Sequence, residues 1–219
     1  MAAILSERFQ IRIICVGPKK SGKTSFIKRY VNSFEDSNAS SQILNNSSTM
    51  NEKAYLKICR TKDGKTLELD IWDTYEDIAS LSSLFSRNAK GCFIICDLSD
   101  PGTFEEIPEW AEKVRATNNL IDFDIPIFLI GNKSDILKDG ELKKAEKVCQ
   151  TISEENKFED YFTCSSLDNI NIAEAFKKLL KHLEANNMLS ESKDNCSLKL
   201  SGDTKFHKTQ VNEKCGCKC

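Results

Sequence analysis

Gly17-Pro18-Lys19-Lys20-Ser21-Gly22-Lys23-Thr24 decides the reading of this chain. The stretch fits the pattern Gly, four residues, Gly-Lys-Ser/Thr. An apolar, strand-like run at residues 9–16 precedes it, and Phe26, Ile27, Tyr30 and Val31 follow at helical spacing. A glycine-rich turn between strand and helix aims backbone N–H groups and the positive end of the helix dipole at one point, a cradle for phosphate. Gly17, Lys20, Ser21, Gly22 and Ser25 belong to that cradle by position. Lys23 adds a cation for the β and γ phosphate oxygens, and the Thr24 hydroxyl is a hard-oxygen ligand for Mg2+.

Apolar segments alternate with amphipathic ones to about residue 183. Residues 32–51 are rich in Ser and Asn without a period and read as a long loop, usually a functional or mobile feature in a compact domain. Residues 55–60 and 66–72 flank Lys62-Asp63-Gly64-Lys65, a hairpin signature, and Leu67, Leu69 and Ile71 alternate onto one face. Residues 91–98 and 125–131 are almost wholly apolar, as strands covered on both faces are. Phe104, Ile107, Trp110, Ala111 and Val114 mark one helix, and Leu142, Ala145 and Val148 a second. A strand at residues 161–165 leads to a helix carrying Ile172, Phe176, Leu179, Leu180 and Leu183. The expected fold is α/β, a mostly parallel six-stranded sheet with one antiparallel edge strand and helices on both faces, over residues 8–185. Residues 186–219 lose all periodicity and read as a flexible tail.

Two carboxylates extend the chemistry of the cradle. Asp73 ends the apolar run that starts at Leu69, and in P-loop proteins such a carboxylate helps hold the Mg2+ shell. Asp70 is the rival, but alternation with Leu69 and Ile71 assigns it to the solvent face, which favours Asp73. Asn132-Lys133-Ser134-Asp135 follows the buried strand at residues 125–131. A carboxylate at Asp135 can accept both N1–H and N2–H2 of guanine, a donor pair that adenine lacks, and an unpaired buried carboxylate rejects the wrong base strongly. Asn132 can tie loops together by hydrogen bonding, and the Lys133 stem can pack on the base plane. Cys164, Ser165 and Ser166, at the end of the last strand, can offer backbone N–H groups to guanine O6.

GPKKSGKT, WDT, NKSD and the segment TCSSLDNINIAEAF from Thr163 to Phe176 resemble the Ras superfamily of small GTPases. WDT with the terminal Cys-x-Cys resembles its Rab branch most. The likeness covers roughly residues 8–184 and implies a P-loop NTPase G-domain that binds GTP and GDP with Mg2+, a molecular switch in vesicle and membrane trafficking. The partners it implies are a guanine-nucleotide exchange factor, effectors of the GTP form, a GDP-dissociation inhibitor and a Rab escort protein, with the chain itself a monomer. Phe34 resembles the aromatic that stacks on guanine, although it falls one residue early; packing at a helix end is the alternative.

The chain also departs from that family. Where Rab proteins usually continue WDT as Ala-Gly-Gln-Glu, this sequence has Tyr75-Glu76-Asp77-Ile78. Glu76 narrows the backbone freedom of the Gly position and brings a charge that phosphate repels. Asp77 stands at the catalytic Gln position but has no N–H donor, so it cannot orient water and stabilise charge as Gln does; slow hydrolysis is expected. Lys23 is the other catalytic candidate. Met50 occupies the position of the family's metal-ligating Thr, and a thioether is a poor Mg2+ ligand; Thr49 is the candidate after a one-residue slip, unless the loop never closes over the metal. Lys19 and Lys20 replace small residues and read as solvated surface lysines, with a position near the γ-phosphate as the alternative.

Composition limits the remaining choices. Thirty-one Lys+Arg against thirty-three Asp+Glu leaves a net charge of −2, which gives no electrostatic reason to expect nucleic acid. No apolar run approaches the ~20 residues that span a bilayer, and the opening residues do not form a signal peptide, so the expected place is the cytoplasm, on the cytosolic face of an intracellular membrane. Six of the ten cysteines sit in apolar runs and read as reduced core residues. The last three, Cys215, Cys217 and Cys219, resemble the Rab ending in which two cysteines carry geranylgeranyl groups, here Cys217 and Cys219. Two chains attach stably where one is marginal, and the tail's six lysines against four acidic residues favour anionic lipid. A small thiolate metal site is the rival for these cysteines. His182 and His207 read as solvent-facing. The alternatives to a GTPase switch are a guanine-nucleotide-binding scaffold that does not cycle and a P-loop ATPase or kinase.

Overall fold

The computed structural model describes residues 8–33, 40–44, 53–60, 64–74, 88–118 and 124–189, with backbone alone at 40–44 and 53. The strands are β1 (Arg8–Val16), β2 (Ser40–Leu44), β3 (Lys53–Arg60), β4 (Thr66–Asp73), β5 (Ala89–Asp97), β6 (Ile127–Asn132) and β7 (Asp160–Thr163). The helices are α1 (Lys23–Val31), a four-residue α2 (Gly102–Glu105), α3 (Ile107–Asn118), α4 (Asp139–Glu155) and α5 (Ile172–Ala185).

The strands form one sheet in the order β2-β3-β4-β1-β5-β6-β7. β1 pairs in parallel with β4 and β5, β5 with β6, and β6 with β7, while β3 runs antiparallel to both β2 and β4. The mixed α/β fold read from the sequence is therefore present, with seven strands rather than six. The seventh is β2, inside the stretch expected to be loop; it takes the edge and moves the antiparallel strand β3 one place inward. Its pairing with β3, from Ser40 opposite Ile58 to Leu44 opposite Ala54, ties it to the sheet along one side without an alternating apolar sequence.

Alternation along β1 feeds two cores. Ile11, Ile13 and Cys15 join Phe26, Ile27, Tyr30, Phe176, Leu179 and Leu183 of α1 and α5. Ile14 and Val16 join Ile107, Trp110, Ala111, Val114 and Cys149 of α3 and α4 on the opposite face. Phe104 lies in α2, apart from the helix that carries Ile107, Trp110, Ala111 and Val114, and packs half-buried against this second core. Val148 does not join the buried face expected of it: it is 41% exposed, and α4 buries Ala145, Cys149 and Ser153 instead. A stripe at 3.6 residues per turn drifts off the 142-145-148 series within two turns. His182 is also not free in solvent, since its ring stands edge-on to Phe128 at 6.0 Å between centroids and its Nδ1 lies 3.4 Å from Glu159 Oε2. Cys15, Cys59, Cys92, Cys96, Cys149 and Cys164 are all buried free thiols.

One consequence positions the site. β4, β1, β5, β6 and β7 are mutually parallel, so their carboxyl ends share one edge of the sheet. Asp73, the glycine-rich loop, Asp97, Asn132 and Cys164 through Ser166 all lie at or just beyond those ends, where open α/β sheets hold their ligands.

Candidate functional site: a phosphate loop joined to a base-reading loop

The glycine-rich loop needs both its glycines. Gly17 has φ +135°, and a Cβ there would lie 2.2 Å from the Ile95 carbonyl oxygen. Gly22 has φ +94°, and its Cβ would lie 2.3 Å from Asn132 Nδ2. Lys20 also takes a left-handed turn, at φ 62°, with its side chain exposed beside the exposed Lys19. Lys23 is only 5% exposed and donates from Nζ to the Gly17 and Pro18 carbonyls, each at 2.8 Å, so its ammonium is held over the loop. Thr24 Oγ1 donates to Asp73 Oδ2 at 2.5 Å, which places two hard oxygens together at the start of α1. Beneath them the Cys15 thiol is fully buried; burial pushes its pKa well up, and the Asp73 charge adds to the effect.

Asp70 does not face solvent as expected. It is 8% exposed, accepts Trp72 Nε1–H at 2.7 Å, and lies 3.4 Å from Arg12 Nε, whose guanidinium stacks 5.0 Å from the Trp72 ring. It points away from Thr24 even so, on the face opposite Asp73.

Asn132 is buried at the end of β6 and bonds in two directions. Its Nδ2 donates to the Ser21 carbonyl at 3.0 Å, while its Oδ1 accepts from Ser166 N at 3.1 Å and Ser166 Oγ at 2.9 Å. Lys133 follows in a left-handed conformation at φ 64°, with its Nζ 2.5 Å from Asp97 Oδ2. Asp97 also accepts from Ser99 N at 2.9 Å and Ser99 Oγ at 2.6 Å. Burial raises the Asp97 pKa, but the bonds from Lys133 and Ser99 outweigh it and hold the group below its ordinary value. Asp135 is fixed by Ser165 Oγ, which donates to its Oδ1 at 2.5 Å and is itself oriented by Asp168 N–H at 2.9 Å.

Of the three residues expected to offer N–H groups to a base, only Ser166 lines the cleft. Cys164 N–H donates to the Gly131 carbonyl at 2.7 Å, Ser165 N–H to the Ile170 carbonyl at 3.2 Å and Ser166 N–H to Asn132 Oδ1 at 3.1 Å, so all three N–H groups are already engaged. Burial raises the Cys164 thiol pKa to about 12, with Cys149 adding to it.

Sequence reasoning missed Arg29. Its Nε and Nη2 donate to the Ser166 and Leu167 carbonyls at 2.8 and 2.7 Å, a second staple between α1 and the base-side loop. The one available signal was its place four residues after Ser25, on the same face of α1.

Between the end of the glycine-rich loop and the base-side loop lies a cleft of about 650 Å3, lined by Gly22, Ser25, Asn132, Lys133, Asp135 and Leu167 among others, with Lys23, Thr24 and Asp73 outside its lining. It joins the Gly22 end of the phosphate loop to the fixed carboxylate of Asp135. Ser21 Oγ is buried beside the loop with no hydrogen-bond partner. Among the described residues no three His, Cys, Asp or Glu side chains converge as a metal centre, so a divalent ion at Thr24 and Asp73 would need ligand oxygens as well. Phe34, Thr49 and Asp77 lie outside the described residues, as do Cys217 and Cys219.

Comparison with known proteins agrees with this geometry. The sequence model of the Ras family matches residues 12–185. The Ras-related protein Rab-32A of Dictyostelium discoideum is 28% identical over 184 residues, covering 81% of this chain and 79% of that protein. Rab-12 of Homo sapiens is 30% identical over 176 residues, covering 78% of this chain and 66% of that protein. Rab-32 of Homo sapiens is 25% identical over 207 residues, covering 93% and 88%.

Proposed function

This chain belongs to the Ras family as a Rab-like small GTPase, and from that premise we propose that it is a guanine-nucleotide switch of membrane trafficking that hydrolyses GTP slowly. The observation that carries the proposal is Asn132, whose one amide bonds both the phosphate loop at Ser21 and the base-side loop at Ser166. That bridge makes a single site of two motifs 111 residues apart.

In this reading the backbone of residues 17–25 and Lys23 hold the phosphates, Thr24 and Asp73 hold Mg2+, and Asp135 selects guanine. Lys133, anchored by Asp97, keeps its stem along the cleft wall. Bound Mg2+ would supply charge neutralisation along the phosphates. Slow hydrolysis follows from Asp77, which brings a negative charge and no N–H donor to the water-orienting position. Thr49 remains the candidate second metal ligand and Phe34 the candidate base-stacking residue.

Prenylation at Cys217 and Cys219 would attach the tail to the cytosolic face of a membrane, and the kinship with Rab proteins supports an exchange factor, effectors, a dissociation inhibitor and an escort protein as partners. Among the described residues no helix is long and apolar enough to cross a membrane. Glu76, Asp77 and Met50 favour a second reading, a guanine-nucleotide-binding scaffold that does not cycle.

The deciding experiment is nucleotide analysis of the purified chain followed by single-turnover hydrolysis of radiolabelled GTP with and without Mg2+. Bound guanine nucleotide with slow, Mg2+-dependent turnover is expected, faster in Asp77→Gln. Bound nucleotide with no turnover in either protein supports the scaffold, and adenine nucleotide contradicts both readings.

A further inference from the structure

The core face of β3 carries a lysine. Tyr55 and Lys57 are each 2% exposed and Cys59 7%, whereas Leu56 and Ile58 are only half-buried. Lys57 Nζ donates to the Tyr30 carbonyl at 2.7 Å, and to the Ser33 carbonyl and Ser33 Oγ at 3.2 Å each. It also lies 4.1 Å from the centroid of the Tyr30 ring. These acceptors stand at the end of α1, where the helix dipole is negative and a cation is favoured. The Tyr30 ring is fixed from its other side by Phe176, stacked at 3.6 Å.

The same corner forms one wall of the nucleotide cleft, which Asn32 and Ser33 line. Resting on the guanine-nucleotide reading above, we propose that Lys57 is a positioning residue that clamps this wall to the sheet and thereby slows nucleotide release. The physical reason is an asymmetry. A buried ammonium is tolerated only while its acceptors stay in place. Swinging the Ser33 corner outward strips oxygens from a charge rather than from a neutral donor, and bonds to charged groups are the more costly ones to lose. Lys57 reaches the corner from a strand hydrogen-bonded on both sides, opposite Leu69 of β4 and Ser41 of β2, so the anchor cannot follow the wall as it moves.

The test measures dissociation of a fluorescent GDP from the full chain in Mg2+ and, separately, the melting midpoint of the chain stripped of nucleotide, where a change in GDP affinity cannot shift it. Lys57→Met is expected to release GDP about tenfold faster, the effect of losing bonds to a charged group. Its midpoint should be little changed, because methionine keeps the apolar stem packed and the Tyr30 carbonyl still accepts from Ser33 Oγ and Ser33 N–H. Lys57→Arg, which keeps the charge and the donors, should release near the wild-type rate. Lys57→Gln supplies the uncharged comparison if the methionine variant does not fold.

Release from Lys57→Met at the wild-type rate overturns the clamp, and so does equal acceleration in Lys57→Arg. Acceleration that appears only with a lowered midpoint assigns Lys57 to general stability and also overturns it. Failure of the wild-type chain to bind GDP is a separate result, which defeats the guanine-nucleotide reading itself.

Discussion

Thr24 Oγ1 and Asp73 Oδ2 lie 2.5 Å apart, joining the first turn of α1 to the last residue of β4. The carboxylate ends β4 opposite Cys15 of β1, and the hydroxyl stands on the helix that follows β1 and its loop. Two oxygens already in hydrogen-bond contact can accept a divalent ion with little rearrangement. Asp73→Ala should therefore make nucleotide release insensitive to chelation, whereas release from the wild type accelerates about 10–100-fold when Mg2+ is removed, the usual scale for losing support of a metal shell. Release rates with and without EDTA check this.

Gly22→Ala tests the seam between the two loops. The added Cβ would stand 2.3 Å from Asn132 Nδ2 at a φ of +94°. Strain of that kind costs about 1–3 kcal/mol, and displacement of Asn132 loosens both loops. A lowered melting midpoint together with GDP affinity weakened about tenfold or more is expected, read by thermal melting and GDP titration.

Asp97 gives a signed pH dependence. Despite burial, the bonds from Lys133 and Ser99 hold its pKa below the ordinary value, so the folded state binds its proton less readily than the unfolded chain. The stabilisation is present above the unfolded value of about 3.9 and is lost as pH falls through the lower folded value. The stability difference between wild type and Asp97→Asn should stay flat above about pH 5 and shrink below about pH 4, as followed by urea unfolding across that range.

The buried thiols make a chemical prediction. Cys15 and Cys164 both have raised pKa values through burial, so neither forms a thiolate near neutrality. A thiol-reactive dye at pH 8 should leave all six described cysteines untouched in the folded protein, and denaturant should reveal six more reactive groups.

What was legible in the sequence was contiguous. The glycine-rich loop and Asn132-Lys133-Ser134-Asp135 each carry their chemistry within a few residues, after a strand that an apolar run betrays. What was not legible depends on cross-strand neighbours. Asp70 lies on the face assigned to it, but Arg12 and Trp72 roof it over, and no alternation rule reports a roof. β2 owes its existence to backbone pairing with β3 and so leaves no period to read. Lys57 sits between Leu56 and Ile58, the more apolar pair, yet it is Lys57 that turns inward, because the end of α1 supplies oxygens for it. Arg29 and its two carbonyl partners are 137 and 138 residues apart, a separation that one sequence cannot reveal.

The most direct measurement is a competition titration, in which a fluorescent GDP bound to the purified chain is displaced by GTP or by ATP. Discrimination against the base that leaves Asp135 unpaired should reach roughly 10^4-fold. It should collapse in Asp135→Ala, and Lys23→Ala should weaken both nucleotides alike. Equal displacement by ATP and GTP from the wild-type chain would contradict the claim that one cleft both cradles phosphate and reads guanine.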